Sequence, residues 1–411
     1  MKPVHRSGSF ASILLTNCTS YLTFKQQARN KNTIMKSQTL WKFVALSILF
    51  ILITFLHPGK ASEPVNLALP TSAREDVNAY WTPQRLRNAK PFNLLKLDSS
   101  SINTSRTLLS LSVEPSVRGN GQPPILNLEP NLNNLLFEPT QQEVNPVNDD
   151  FSIVPHNAGT ESAYFTSSQL IPLSADLSYP YRAVGKLFYT DQLGNDAECS
   201  GVVLRPRIVL TAGHCVHNGN GSVNGYYRNF AFIPAFRDGN APYGRWVYTT
   251  VQTTTPWFSG GNRVPNSSDF AILEMADDSS SRRIGDVVGY LGYQTNRLIP
   301  NHATMLGYPC NLDACLKMHQ VTAQSFRTVA PNSVEYGSDM ENGSSGGPWI
   351  MNFGSSASGQ TRGLETGANL VIGITSYGSS NPNLLLQRSS ILDSNLLAVL
   401  NERCSARSGN C

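Results

Sequence analysis

No apolar run in this 411-residue chain reaches eighteen residues, which excludes a polytopic membrane protein. Charge is scarce too: Asp, Glu, Lys and Arg make up 15 %, too little for a highly charged disordered chain or a long coiled coil. Residues 1–61 lack any acid but hold eight Lys and Arg. Without them, 24 basic residues face 28 acidic ones, and the formal charge passes from +4 to −4. The basic excess therefore belongs to the leader, and no clustered basic surface points to a nucleic-acid partner. Internal repeats are missing. Long helical periodicity is missing as well until Ile391-Leu-Asp-Ser-Asn-Leu-Leu-Ala-Val-Leu, where Ser390 or Asp393 would cap a C-terminal helix.

The leader carries a short apolar stretch, Phe43 to Leu56, preceded by Lys36 and Lys42 and followed by His57-Pro-Gly-Lys-Ala. A basic start, a short apolar run and a small-x-small end describe a secretory signal peptide cut after Ala61. An uncleaved anchor is the alternative, but fourteen residues span only about 21 Å of a ~30 Å hydrocarbon layer. Met35 begins a well-formed signal by itself, which makes it the alternative translation start. Cys18 then drops out, leaving six cysteines, an even number that reads as three disulfides in a secreted or periplasmic chain. No stable membrane anchor is expected after cleavage.

Residues 62–180 hold 13 of the 25 prolines, 13 asparagines and no cysteine. With little to bury, they read as a poorly ordered pro-region or a low-complexity N-terminal extension. The texture changes near Tyr179. Val184-Gly-Lys-Leu-Phe-Tyr, Gly201-Val-Val-Leu, Arg207-Ile-Val-Leu-Thr and Phe270-Ala-Ile-Leu-Glu-Met are short β-branched or aromatic runs between Gly, Asn, Asp, Pro and Ser clusters. That spacing predicts an all-β sandwich or barrel. Residues 181–404 suffice for two small barrels, followed by a 405–411 tail.

Three motifs carry chemistry, in the order His, Asp, Ser. Leu210-Thr-Ala-Gly-His-Cys places His214 after a buried-looking strand, and a disulfide between Cys199 and Cys215 would fix the backbone beside its imidazole. Asn266-Ser-Ser-Asp-Phe-Ala-Ile-Leu puts Asp269 at the mouth of an apolar strand. Asn342-Gly-Ser-Ser-Gly-Gly-Pro sets Ser345 in a glycine-rich turn. Each alone is more often a turn or a structural residue; the conjunction is not a chance pattern.

On these three motifs the chain resembles the chymotrypsin-like (trypsin-like) serine peptidases. Its Tyr179-Pro-Tyr-Arg-Ala-Val-Gly-Lys-Leu stretch looks like the secreted bacterial branch related to glutamyl endopeptidases. The resemblance covers about 180–404. It implies two antiparallel six-stranded β-barrels, about 181–285 and 286–404, with the active site between them. It further implies a catalytic triad of His214, Asp269 and Ser345 and an oxyanion hole from the N–H groups of Gly343 and Ser345. The partner is then a protein or peptide substrate, with no cofactor and no metal; the oligomeric state is not legible. Ser344 stands where trypsin carries the aspartate that accepts the new N-terminus, and a neutral serine cannot form that ion pair, so the resemblance does not extend to the usual zymogen switch.

Asp339, six residues before Ser345, matches the position that floors the primary pocket in trypsin-like members and selects Lys or Arg; a structural acid is the alternative. Ser376, Tyr377 and Gly378 match the strand that pairs with substrate backbone. Tyr377 covers the pocket or is an ordinary half-buried strand aromatic. Glutamyl enzymes have a histidine where Thr375 stands, so an acidic substrate side chain loses one partner. The mature N-terminus falls near 167–170 by this resemblance, yet no Lys or Arg occurs between Arg118 and Arg182. An enzyme cutting only after basic residues cannot release itself there. Proximity pairs Cys310 with Cys315 and Cys404 with Cys411. His217 and His302, without ligand-like neighbours, read as surface residues. The competing functions are a non-enzymatic binding protein on a peptidase scaffold, an endopeptidase of non-basic specificity, and an esterase, whose Gly-x-Ser-x-Gly elbow needs a strand–helix setting that this region lacks.

Overall fold

The β-branched and aromatic runs bury both faces. The computed structural model describes residues 66–71, 73–97, 115–139, 163–354 and 367–411; the leader, with Met35 and Cys18, lies outside them. Five short strands come first: β1 (Asn66–Ala68), β2 (Lys90–Pro91), β3 (Leu95–Leu97), β4 (Arg118–Gly119) and β5 (Phe165–Gln169). Six follow: β6 (Val184–Thr190), β7 (Asp196–Arg205), β8 (Ile208–Thr211), β9 (Arg228–Pro234), β10 (Trp246–Thr253) and β11 (Ala271–Met275). The last eight are β12 (Gly292–Gln294), β13 (His302–Gly307), β14 (His319–Val329), β15 (Ser333–Gly337), β16 (Pro348–Met351), β17 (Leu370–Ile374), β18 (Tyr377–Ser379) and β19 (Leu386–Ser390).

The first sheet runs β10-β11-β8-β7-β6-β9, and β9 pairs back to β10, closing a six-stranded antiparallel barrel. Two residue pairs close the ring, Trp246 with Phe232 and Val247 with Ala231, and the free flanks left on β10 and β7 are covered by β1 and β2. The second sheet runs β18-β19-β15-β14-β13-β16-β17-β12. It therefore has eight strands in this path rather than the six expected, because β12 adds parallel to β17 and β18 extends the other end. A single apolar core fills the first barrel and reaches the C-terminal helix through Leu396, Val399 and Leu400. A second cluster around Trp349, Tyr336 and Met305 fills the other sheet. The C-terminal helix, Ser394–Ala406, is capped by Asp393, which accepts from the Asn395 N–H at 3.0 Å. Among the described residues no helix is long and apolar enough to cross a membrane.

Composition left residues 62–180 with little to bury, yet parts of them are built into both sheets. Strand β1 adds to β10, β2 to β7, β3 to β18, β4 to β12 and β5 to β14. Helices Ala73–Tyr80 and Pro83–Asn88 bury Val77 and Leu86, and Trp81 between them is buried too. The weak order expected there is thus corrected for these stretches. A few well-spaced large side chains anchor a segment even where no period runs through it. Residues 167–170 lie in and just after β5, which is paired with β14 along its length.

Candidate active site

His214 sits in a tight turn, Gly213–Cys215, just after β8, and the Cys199–Cys215 disulfide ties that turn to β7. Asp269 lies two residues before β11, which pairs with β8, so the sheet register brings the two residues together. One carboxylate oxygen of Asp269 accepts from the His214 backbone N–H at 2.9 Å, and the other meets His214 Nδ1 at 2.7 Å. Ser376 donates its hydroxyl to that second oxygen. Both ring and carboxylate are wholly buried. A buried carboxylate that accepts three hydrogen bonds has its orientation fixed, and it holds the proton of the imidazole on Nδ1. His214 Nε2 is left buried with no hydrogen-bond partner, and so is Ser345 Oγ.

The Ser345 turn is pinned between β7 and the residue that follows β17. The Ser200 N–H donates to Ser345 O at 2.7 Å, and the Gly346 N–H donates to Thr375 O at 2.8 Å. A Cβ on Gly346 would meet Thr211 Oγ1 at 2.1 Å, and its φ is +79°, so close approach and backbone sign both demand glycine. Ser344 directs its hydroxyl to Glu341 O and accepts from Gln387 Nε2 at 2.9 Å. Of the two adjacent serines, only Ser345 keeps an uncommitted hydroxyl.

Two peptide planes decide where the neighbouring N–H groups point. The Asn342 carbonyl accepts from Cys310 N–H at 2.8 Å, and the Ser344 carbonyl accepts from Gly347 N–H at 2.9 Å. In a trans peptide the following N–H points opposite to its carbonyl. Fixing these two carbonyls therefore aims the N–H groups of Gly343 and Ser345 away from the scaffold. Among the described residues neither N–H donates to a backbone carbonyl. Ser200 adds a third restraint, its hydroxyl donating to Gly343 O at 2.9 Å while accepting the Tyr308 N–H at 3.0 Å. Sequence reasoning missed Ser200 and Gln387. The available signal for Ser200 was its place directly after Cys199; Gln387 gave none.

Asp339 lines a recess together with Met340, Glu341, Gly378, Ser379 and Leu386. One of its carboxylate oxygens is buried without a partner. Gly378 and Tyr377 form β18, and Tyr377 is fully buried rather than half-buried, with the Arg388 guanidinium 5.3 Å from its ring centre. Arg388 is itself buried, paired with Glu335 and donating to Gly378 O at 2.8 Å. The structure joins Cys310 to Cys315 and Cys404 to Cys411. His302 is exposed as expected. His217 is not: it is buried between Tyr226 and Phe258, each ring centre 4.6 Å away, and burial pushes its pKa down. Its two ring nitrogens meet the Gly219 N–H and the Ser222 carbonyl, a structural clamp that spacing along the chain does not reveal.

Residues 199–355 match the family model for a trypsin-like peptidase domain. The chain is 30 % identical over 135 residues to a glutamyl endopeptidase of Bacillus licheniformis, covering 32 % of this chain and 37 % of the relative. It is 24 % identical over 216 residues to a Bacillus subtilis protein named extracellular metalloprotease, covering 52 % and 61 %. The matches thus span 37 % and 61 % of the two relatives, less than two thirds of either. Among solved structures, the protease Anisep from Arthrobacter nicotinovorans aligns at 27 % identity and a TM-score of 0.46, over 55 % of this chain and 96 % of that one. A Glu endopeptidase in complex with MPD aligns at 19 % and 0.43, over 58 % and 96 %.

Proposed function

We propose that this chain, which carries a trypsin-like peptidase domain over residues 199–355, is an exported serine endopeptidase acting through Asp269, His214 and Ser345. Residues 181–285 and 286–404 form its two halves, and 62–180 its pro-region. One observation carries the reading. A buried carboxylate holds one nitrogen of His214, while the other nitrogen and the adjacent turn's Ser345 hydroxyl are both buried without partners. Unpartnered buried polar atoms cost about 1–3 kcal/mol each, and such atoms concentrate where chemistry needs them.

The serine hydroxyl is a poor nucleophile at neutral pH. His214 Nε2 takes its proton as Oγ attacks a peptide carbonyl, and Asp269 stabilises the imidazolium that results. The tetrahedral intermediate places its negative oxygen before the N–H groups of Gly343 and Ser345, each worth roughly 3–4 kcal/mol in such sites. His214 then hands the proton to the leaving amine. Water repeats the cycle in reverse on the acyl-enzyme. The mechanism asks nothing of a metal. Among the described residues the two candidate ligand groups, Cys199–His214–Cys215 and Glu198–Cys310–Cys315, each spend two members in a disulfide.

The partnerless oxygen of Asp339 favours a substrate Lys or Arg in the recess. A glutamate preference, the named activity of the Bacillus licheniformis relative, would need a cation there. Arg388 is already committed to Glu335 and Gly378, and the other cation at the recess, Lys96, belongs to the N-terminal segment that pairs with Gly378. Export is supported by the three disulfides, which persist outside the reducing cytosol. The test is the final extent of fluorophosphonate labelling. Wild type and Ser344→Ala incorporate the probe and Ser345→Ala does not; probe uptake by Ser345→Ala, or none by wild type after prolonged exposure, refutes the assignment.

A further inference from the structure

The N-terminal segment crosses the proposed cleft. Strand β1 and the two short helices fasten it to the first barrel, where Arg85 and Tyr80 both engage Asp196 and the Trp81 indole donates to Asn229 O. Strand β2 then pairs with β7 at Ala197 and Glu198, and the Phe92 N–H donates to Glu198 O at 3.0 Å. The Phe92 ring lies over His214, ring centres 5.0 Å apart. Beyond it, Leu94 N–H donates to Asn342 Oδ1 at 2.8 Å, and the Leu94 side chain, 4 % exposed, packs beside Gly378. Strand β3 completes the crossing by pairing with β18, Leu95 opposite Tyr377, Lys96 opposite Gly378 and Leu97 opposite Ser379.

Direction is the informative part. Strand β18 starts beside the triad, since Ser376 bonds Asp269, and runs away from it. A substrate's acyl half must end at Ser345 with its carbonyl, so on this edge it runs antiparallel to β18. Residues 92–97 run parallel to β18, leaving the triad as they go from N to C. They hold the edge hydrogen bonds and cover the histidine, but they present their chain backwards.

We propose that residues 90–97 are a ligand of the cleft that the enzyme's own catalytic groups cannot cut, a built-in reverse-direction inhibitor. This rests on the serine peptidase reading above. The edge strand that selects substrate is satisfied by a peptide whose scissile geometry is inverted. Opening the cleft requires removing Phe92 and Leu94 from their sites, not hydrolysing the strap.

The test uses the whole chain and the rate of fluorophosphonate labelling. The variant Phe92→Ala/Leu94→Asp leaves the barrels and the triad untouched and loosens the strap. Its labelling rate rises at least about tenfold over wild type, because removing buried contacts raises the open fraction. A synthetic peptide of residues 88–99, added to this variant, slows labelling again, and a scrambled peptide does not. Mass spectrometry of the wild-type chain, compared with Ser345→Ala, finds no cut between Phe92 and Leu97 that depends on Ser345. Equal rates for wild type and variant overturn the strap. A Ser345-dependent cut between Phe92 and Leu97 in the wild-type chain overturns the reversed direction. If no form labels even at long exposure, the serine peptidase assignment fails, and the strap fails with it; equal and rapid labelling sinks the strap alone.

Discussion

Ser200 offers the sharpest test of how the site is held. Its hydroxyl donates to Gly343 O at 2.9 Å and accepts from Tyr308 N–H at 3.0 Å, with no solvent exposure. Its backbone N–H, bonded to Ser345 O, survives any substitution but proline. Ser200→Ala therefore deletes two side-chain hydrogen bonds and strands a buried carbonyl and a buried N–H. Each lost bond is worth about 1 kcal/mol net and each orphaned group about 1–3 kcal/mol. The two accounts overlap, so unfolding free energy should fall by roughly 2–4 kcal/mol. The catalytic effect is separate. Gly343 loses the anchor on its own carbonyl, while Cys310 still fixes the preceding peptide plane. The donor is loosened rather than lost, and kcat should drop about tenfold, well short of the 100- to 1000-fold for removing an oxyanion donor. KM should stay within about twofold, because a positioning defect expressed only in the transition state leaves ground-state binding alone. Denaturant unfolding and steady-state kinetics on a peptide ester measure both. A variant that loses stability but keeps full kcat refutes the claim that Ser200 acts on Gly343. A variant with unchanged stability refutes the hydrogen bonds themselves.

Two further outcomes follow from other groups. Asp339→Ala should lower kcat/KM for peptides with Lys or Arg before the cut by roughly 10–100-fold, the worth of one charged hydrogen-bonded contact, while neutral peptides change little. A peptide-library profile checks it, and an acidic or flat preference in the wild type discards the pocket assignment. Burial lifts the Asp176 carboxyl from 3.8 to about 6, against the pull of Arg237. The folded state then holds more protons than the unfolded chain between about pH 4 and 6, so this group's contribution falls as pH rises through that window, by roughly 3 kcal/mol. Asp176→Asn should flatten that slope in urea melts, and an unchanged difference between pH 4 and pH 7 would refute the shift.

The candidate site was legible where chemistry is carried by residue type at fixed local spacing. His214, Asp269 and Ser345 each sit in a short motif, whereas the register that unites β8 and β11 comes from folding, because both strands are buried on both faces and carry no alternation. The parts that escaped are those created by folding between distant positions. Ser200 and Gly343 are 143 residues apart and Gln387 and Ser344 are 43 apart, and neither serine nor glutamine advertises such a bond. His217 shows the same limit in reverse: its isolation in sequence suggested the surface, while the turn around it closes over the ring with Tyr226 and Phe258. The N-terminal segment was underestimated because its apolar anchors are few and irregular. Trp81, Leu86 and Leu94 are nonetheless buried, and burial of three such side chains contributes several kcal/mol, about 1.5–3 each.

A peptidase that reads extended peptides by strand addition must keep a sheet edge unpaired, and an unpaired edge is also a template for unwanted association. Here β18 is the proposed edge, since the second sheet ends there once the N-terminal strand is set aside. The chain meets both demands with one segment. Strand β3 satisfies the β18 edge, while β2 occupies the open flank of β7 before β8 begins to pair at Val202. A forward-running strap would meet the edge requirement equally well but would place a carbonyl before Ser345 and be consumed. Reversal keeps the hydrogen bonds and removes the reaction. With Ser345 as the proposed nucleophile, the direction of three paired residues, Leu95 to Leu97, decides whether residues 90–97 would behave as an inhibitor or as a first substrate.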